Sequence, residues 1–184
     1  MIPALASKKS DDWYTPARVA GVAQSVLGGI DLDPASCEEA NQVIRAGRIY
    51  TQEENGLEPT NPWSGRVWLN PPYSLVESFI ERLLQEVALG HVSAAMLLVN
   101  AATETNWFAP LWAYPICFPK GRLSFIRPGG LRGDSPTKGS ALIYVARDPD
   151  IESFVRHASP LGPVVPRILK PSNAVQLPLA LEAI

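Results

Sequence analysis

The residues Asn70-Pro71-Pro72-Tyr73 place a carboxamide, two rigid backbone positions and an aromatic face in four consecutive positions. An amino group conjugated to a ring is a poor nucleophile, because its lone pair is drawn into the ring. A side-chain amide oxygen and the backbone carbonyl of the next residue can each accept one N–H from such an amine. Holding both favours the geometry in which the lone pair points at an electrophile. Proline suits the task because it fixes φ and offers no competing N–H, and tyrosine supplies a flat face for stacking a base. With an electrophile that is already activated, proximity and orientation do most of the remaining work. The competing reading is a plain turn, since Asn-Pro and Pro-Pro are common punctuation. Chance alone produces this tetrapeptide on the order of a few times in a thousand chains of such composition.

Two clusters upstream have residue types suited to a charged small molecule. Tyr14-Thr15-Pro16 sets a hydroxyl beside a helix start, where backbone N–H groups favour a carboxylate; the same residues also read as an ordinary N-cap. Asp33-Pro34-Ala35-Ser36 sets a carboxylate and a hydroxyl around a tight turn. Between Asp31 and Glu58 the chain carries seven acids against two bases, a zone that repels phosphate but not a cation. The opposite sign appears later. Lys120, Arg122, Arg127, Arg132 and Lys138 face one acid, Asp134, in a Gly- and Pro-rich stretch that suits phosphate tracking or, equally, a solvated hairpin.

Several classes are excluded. The chain has two cysteines, Cys37 and Cys117, and two histidines, His91 and His157, so no metal site or His-based triad is expected. No Gly-rich phosphate or dinucleotide signature is present. A net charge of −2 argues against a general nucleic-acid coat. No signal peptide or membrane-length apolar run occurs, which suggests a soluble cytoplasmic protein.

These groups must be positioned by elements. Thr15-Pro16 reads as the start of a helix that carries Val19, Val22, Ala23, Val26 and Leu27 and ends at Gly28-Gly29. A short strand over residues 30–33 runs into Pro34. Ser36-Cys37-Glu38-Glu39 reads as a capping box for a helix to about Ala46. Arg48–Tyr50 and Arg66–Leu69 read as strands. Ser74-Leu75-Val76-Glu77 reads as a second capping box, opening a helix with Phe79, Ile80, Leu83, Leu84 and Val87 on one stripe up to Gly90. Ala94–Val99 is apolar enough for a strand buried on both faces. A short helix over 104–111, strands over 114–118, 123–126 and 140–145, and a helix from Asp148-Pro149 to about His157 complete the list. Residues 1–12 read as loose. The expectation is an α/β fold, a single compact domain over residues 1–158 with helices on both faces of a central, mostly parallel sheet, followed by a Pro-rich tail over 159–184. Ligands of such sheets sit at strand carboxyl ends, where both Asp33-Pro34 and Asn70-Pro71 fall.

Taken together, Asp11-Asp12-Trp13-Tyr14-Thr15-Pro16, Asp31-Leu32-Asp33-Pro34-Ala35-Ser36 and Val67-Trp68-Leu69-Asn70-Pro71-Pro72-Tyr73-Ser74 resemble the phage Dam-like DNA N6-adenine methyltransferases. The likeness continues more weakly through Trp107-Phe108 and Lys120-Gly121-Arg122-Leu123-Ser124-Phe125, covering roughly residues 11–146. It implies a Rossmann-like class I methyltransferase fold and methyl transfer from S-adenosylmethionine to the exocyclic amino group of adenine in DNA. It further implies Asn70, Pro71, Pro72 and Tyr73 as the catalytic element around a flipped base. Tyr14, Thr15 and Pro16 would approach the methionine end of the cofactor, and Asp33, Pro34, Ala35 and Ser36 would form the loop beneath it, with Asp33 engaging the amino group. Asn55, before Gly56-Leu57, stands where the family has an acid suited to the cofactor's adenine, and its amide oxygen would accept the adenine amino group. Glu53 or Glu54 would instead hold the ribose hydroxyls, and a solvated acidic loop is the competing reading. Lys120, Arg122, Arg127, Arg132 and Lys138 would face DNA. The chain lacks the glycines usual after Asp-Pro-Ala. The same motif also serves methylation of RNA bases or protein glutamine, and a non-catalytic cofactor-binding descendant would keep the fold. The recognised DNA sequence and the oligomeric state have no signature in the sequence.

Overall fold

The computed structural model describes residues 13–127, 131–132 and 138–166, without the side chains of 127, 131 and 132. The expected loose N-terminus, the residues of the tail from 167 on, and Asp134 lie outside the described residues.

Helix α1 (Ala17–Leu27) buries Val19, Ala20, Ala23 and Leu27 and stops at Gly28, whose φ of 70° few other residues tolerate. Strand β1 (Leu32–Asp33), helix α2 (Glu38–Ile44) and strand β2 (Arg48–Ile49) follow. Strand β3 (Gly65–Leu69) leads through a 3-10 turn, Tyr73–Leu75, into helix α3 (Val76–Leu89), closed by Gly90 at φ 83°. The fully apolar middle of β4 (Val92–Asn100) is the expected buried strand. A second 3-10 turn, Ala109–Ala113, is followed by β5 (Ile116–Cys117), β6 (Ile126–Arg127), β7 (Leu131–Arg132), β8 (Ser140–Ala146), α4 (Ile151–Ala158) and β9 (Val164–Val165).

Among the described residues the main sheet has seven strands in the order β2-β1-β3-β4-β8-β5-β9, and β6 pairs with β7 in a separate hairpin. The half from β2 to β4 is parallel, and β4, β8, β5 and β9 pair antiparallel. The mostly parallel sheet expected from the sequence therefore describes the half that carries Asp33 and Asn70. Alternation along each strand sorts the core into two layers. Trp68, Met96, Leu98, Leu142 and Tyr144 pack with α1, Ile44 of α2, and Phe154 of α4. Val67, Leu69, Ala95, Leu97, Val99 and Ile143 pack on the other face with Phe79, Ile80, Leu83 and Val87 of α3. This is the α/β fold with helices on both faces, consistent with a Rossmann-like class I methyltransferase.

Strand order reverses between β1 and β3. From β1 the chain turns outward through α2 to β2, and from β3 it runs the other way through α3 to β4. The carboxyl ends of β1 and β3 thus flank a topological switch point, where a crevice must open. Arg66 fastens this junction from below. Its guanidinium is held by both carboxylate oxygens of Asp31 (Nη2–Oδ1 2.8 Å, Nε–Oδ2 2.9 Å) and caps the carbonyls of Leu27 and Gly28 at the end of α1.

Local expectations differ from the structure at several points. Pro16, not Thr15, occupies the position before α1, and α1 has no side-chain cap. Cys37, not Ser36, caps α2, its Sγ accepting from the N–H of Ala40 at 3.5 Å. Ser74 lies within the 3-10 turn and Leu75 precedes α3, so the expected second capping box does not form. The helix expected over 104–111 is a series of turns ending in the 3-10 segment at Ala109–Ala113, where Pro110 lacks the N–H of a longer ladder. The strand expected over 123–126 survives only at Ile126, because Leu123 and Phe125 are buried as anchors rather than paired.

Candidate active site

A cleft of about 830 Å³ opens at the switch point. Asp33, Pro34, Ala35 and Ser36 at the end of β1, Asn70 and Pro72 at the end of β3, and Tyr14 and Thr15 before α1 all line it. Asn55 lines it from the loop after β2. Residues far apart along the chain are thus brought to one wall. Pro71 is buried behind this wall and Pro16 stands at the head of α1. Sequence reasoning left out Trp13, Cys37, Glu38, Glu39, Gln52, Trp68 and Phe79, which also line the cleft. Their shared signal is only proximity to the motif loops.

Asp33 is 3% exposed, and its Oδ1 accepts the N–H of Ala35 at 3.2 Å. Burial pushes its carboxyl up to about 7, against the lowering effect of the Ser36 hydroxyl and the Ala35 N–H. The Ser36 hydroxyl lies near enough to the carboxyl to have this effect, yet it is buried without a hydrogen bond of normal geometry. Among the described residues no cation faces this buried carboxyl, and a carboxyl so placed in a cleft wall, with the Ser36 hydroxyl beside it, fits a ligand that carries an ammonium group.

The loop over residues 51–58 forms the facing wall. Gly56 approaches so closely that a Cβ there would lie 1.8 Å from the carbonyl oxygen of Pro34. The glycine missing from the Asp33 loop is therefore supplied by the loop that packs on it. Arg82 of α3 staples this wall through the carbonyls of Gly56 (2.8 Å), Glu58 (2.9 Å) and Asn61 (2.6 Å), and its guanidinium covers the Trp63 ring. Asn55 holds a left-handed φ of 56°, which asparagine tolerates, and its Oδ1 accepts the N–H of Leu57 at 3.1 Å. Its amide oxygen is thus already engaged in the turn. Glu54 does not line the cleft: its carboxylate accepts the N–H of Thr51 at 2.8 Å on the exposed side of the loop. Of the two acids considered for a ribose, Glu53 is the one that lines the cleft.

Asn70 is oriented from the far side. Its Nδ2 donates to the carbonyl of Trp13 at 2.9 Å and to Thr15 Oγ1 at 3.4 Å, which leaves Oδ1 as the accepting end. Tyr73 lines a smaller cavity of about 160 Å³ with Val76, Asn100, Ala102, Thr105, Trp107 and Lys138. Trp107 is half-buried against Phe108, which is fully buried and belongs to the core. Of the basic residues, Lys120, Arg122 and Lys138 are exposed. The guanidinium of Arg122 lies beside Gly139, next to Lys138 and the end of β4. Arg127 and Arg132 sit on the hairpin strands β6 and β7, and their side chains lie outside the described residues. Among the described residues no group of His, Cys, Asp and Glu is placed to hold a metal, and no helix is long and apolar enough to cross a membrane.

Residues 4–155 match the family model described as DNA N-6-adenine-methyltransferase (Dam). The chain belongs to this family. It is an S-adenosylmethionine-dependent DNA adenine N6-methyltransferase. Two phage relatives, each described as a DNA N-6-adenine-methyltransferase, agree. That of Escherichia phage T1 is 28% identical over 179 residues, covering 86% of this chain and 72% of the relative. That of Haemophilus phage HP1 is 35% identical over 106 residues, covering 55% and 58%. Among solved structures, a dimethyladenosine transferase from Plasmodium falciparum aligns over 77% of this chain and 65% of its own at a TM-score of 0.43 and 8% identity.

Proposed function

We propose that the two cavities divide the reaction between them, the larger holding S-adenosylmethionine and the smaller the target adenine. S-adenosylmethionine supplies an electrophilic methyl on a sulfonium. Asp33 pairs with the amino group of its methionine portion, with the Ser36 hydroxyl beside it, and Glu53 and Glu39 stand on the same lining for the ribose hydroxyls. Asn55 contributes its NH2 and the shape of its turn rather than a vacant amide oxygen.

Adenine enters with its amino group toward Asn70. The Asn70 Oδ1 and the Pro71 carbonyl each accept one N–H, hold the nitrogen lone pair toward the methyl, and offset the positive charge that develops on the nitrogen. As the N–C bond forms the C–S bond would break to leave a neutral thioether, and the methylated nitrogen would release one proton to solvent. Tyr73 and Trp107 wall the cavity for the ring. Asn100 and Thr105 lie on the same wall, where their polar groups suit a base edge. Lys138, with Lys120, Arg122, Arg127 and Arg132, meets the backbone phosphates. A base inside a duplex stack cannot reach Asn70, so the target nucleotide is extruded.

The observation that carries this reading is the orientation of Asn70, with its NH2 turned to the N-terminal strap and its oxygen left to accept. The test is to incubate the protein with methyl-labelled cofactor and, separately, DNA, RNA and bulk protein, then digest and identify the labelled unit. N6-methyladenine from DNA is expected. Label in cytosine, or in RNA or protein alone, contradicts the reading.

A further inference from the structure

We infer that the strap of residues 13–15 positions the catalytic amide, with Thr15 a positioning residue for Asn70 rather than a helix cap. The inference rests on the proposed role of Asn70 and goes beyond it. An asparagine side chain has two orientations that differ by exchange of its oxygen and nitrogen. Only one presents an oxygen to an incoming amino group; the other presents a second donor, which repels it.

The strap decides between them. With Nδ2 toward the Trp13 carbonyl at 2.9 Å, the side chain gains a hydrogen bond. Turned over, it would set two carbonyl oxygens against each other in the same half-buried space. Thr15 Oγ1, on a residue 3% exposed, takes the second amide hydrogen at 3.4 Å. That hydroxyl is not occupied in capping, since α1 begins at Ala17 with no side-chain cap.

The strap is itself held in place. Tyr14 exchanges two backbone hydrogen bonds with Ile126 (N–O 2.8 Å and O–N 3.0 Å), and the Trp13 ring meets Phe125 edge-on at 6.3 Å. Ile126 begins strand β6 of the hairpin that carries Arg127 and Arg132. The amide is therefore tied, through the strap, to an element in the basic stretch. DNA binding there and orientation of Asn70 share one piece of backbone.

The test compares Thr15→Val, which keeps shape and removes the acceptor, with Thr15→Ser, which keeps the hydroxyl. Methylation of unmethylated DNA gives kcat and KM, calorimetry gives cofactor affinity, and hydrogen exchange of the Asn70 side-chain amide by nitrogen-15 NMR reports the lock directly. One neutral hydrogen bond corresponds to a kcat loss of about 3- to 10-fold. Thr15→Val is expected to show that loss in kcat at saturating cofactor, with faster amide exchange and with KM for DNA within about twofold of the parent, as a change in orientation implies. Thr15→Ser should restore both rate and protection. The inference is overturned by an unchanged kcat in Thr15→Val at saturating cofactor, by a loss that serine does not rescue, or by unchanged exchange of the Asn70 amide. Full activity in Asn70→Ala would instead overturn the role of Asn70 itself.

Discussion

At the scale of the residue, Asp33 shows how burial prepares a charge for its partner. Its carboxyl is held up to about 7 by loss of solvent, well above the ordinary value of 3.8. Between those two values the unfolded chain releases a proton that the folded chain keeps, so the Asp33 contribution to stability is fully present at low pH. It is lost as pH rises through about 7. A bound ammonium group reverses the balance, because it needs the ionised form. Cofactor affinity is therefore expected to rise as pH goes through about 7 and level off above it, a trend that calorimetric titration would show. Asp33→Asn should remove both effects. Its cofactor-free form is expected to gain on the parent by a few kcal/mol between about pH 5 and 8 in denaturant unfolding, while its cofactor binding becomes weak and nearly independent of pH. A parent protein that becomes more stable than Asp33→Asn as pH rises would contradict this account.

At the scale of the element, the larger cleft, proposed to hold the cofactor, depends on two loops that touch through bare backbone. A methyl at Gly56 would meet the Pro34 carbonyl oxygen at 1.8 Å, and the clash is backbone on backbone, so the loops must part. Gly56→Ala is expected to lower stability by about 1–3 kcal/mol and to weaken cofactor binding at least about tenfold, measured by unfolding and calorimetry on the same protein. Unimpaired binding would show that the facing loop does not form the site. Local sequence patterns reach their limit at this pair of loops. The stripe on α3 and the apolar run of β4 were legible because each repeats a pattern many times. The motif ends Asp33 and Asn70 were legible because strand, turn and helix signals coincide there. Gly56 was marked only by its place after Asn55 in the resemblance and Arg82 by nothing, since their roles are set by chain distant in sequence. The two-residue strand β9 is similar: Val164–Val165 lies in a Pro-rich stretch, and only its pairing with Ile116–Cys117 makes it a strand. Thr15 and Ser36 misled as caps because a hydroxyl before a helix looks the same whether it serves the helix or the cleft.

At the scale of the whole molecule, charge is divided rather than abundant. The net charge is −2, yet Asp33, Glu38, Glu39 and Glu53 line the larger cleft while Lys120, Arg122 and Lys138 are exposed in the stretch that leads to the second cavity. On the proposed division of the cavities, the first group keeps phosphate out of the cleft assigned to a cation, and the second draws it toward the cavity assigned to a nucleotide. Replacing Lys120, Arg122 and Lys138 together by glutamine should weaken DNA binding and flatten its dependence on salt. Every phosphate left without its cation lowers the logarithmic slope by about 0.9, and cofactor affinity should be unchanged. An unaltered slope would place the DNA elsewhere on the surface. The central claim is that Asn70 holds the amino group that is methylated, and it is tested most directly by measuring N6-methyladenine formed in DNA by purified Asn70→Ala beside its cofactor affinity. The account predicts no detectable product with cofactor binding close to that of the parent; product formed at the parent's rate would contradict it.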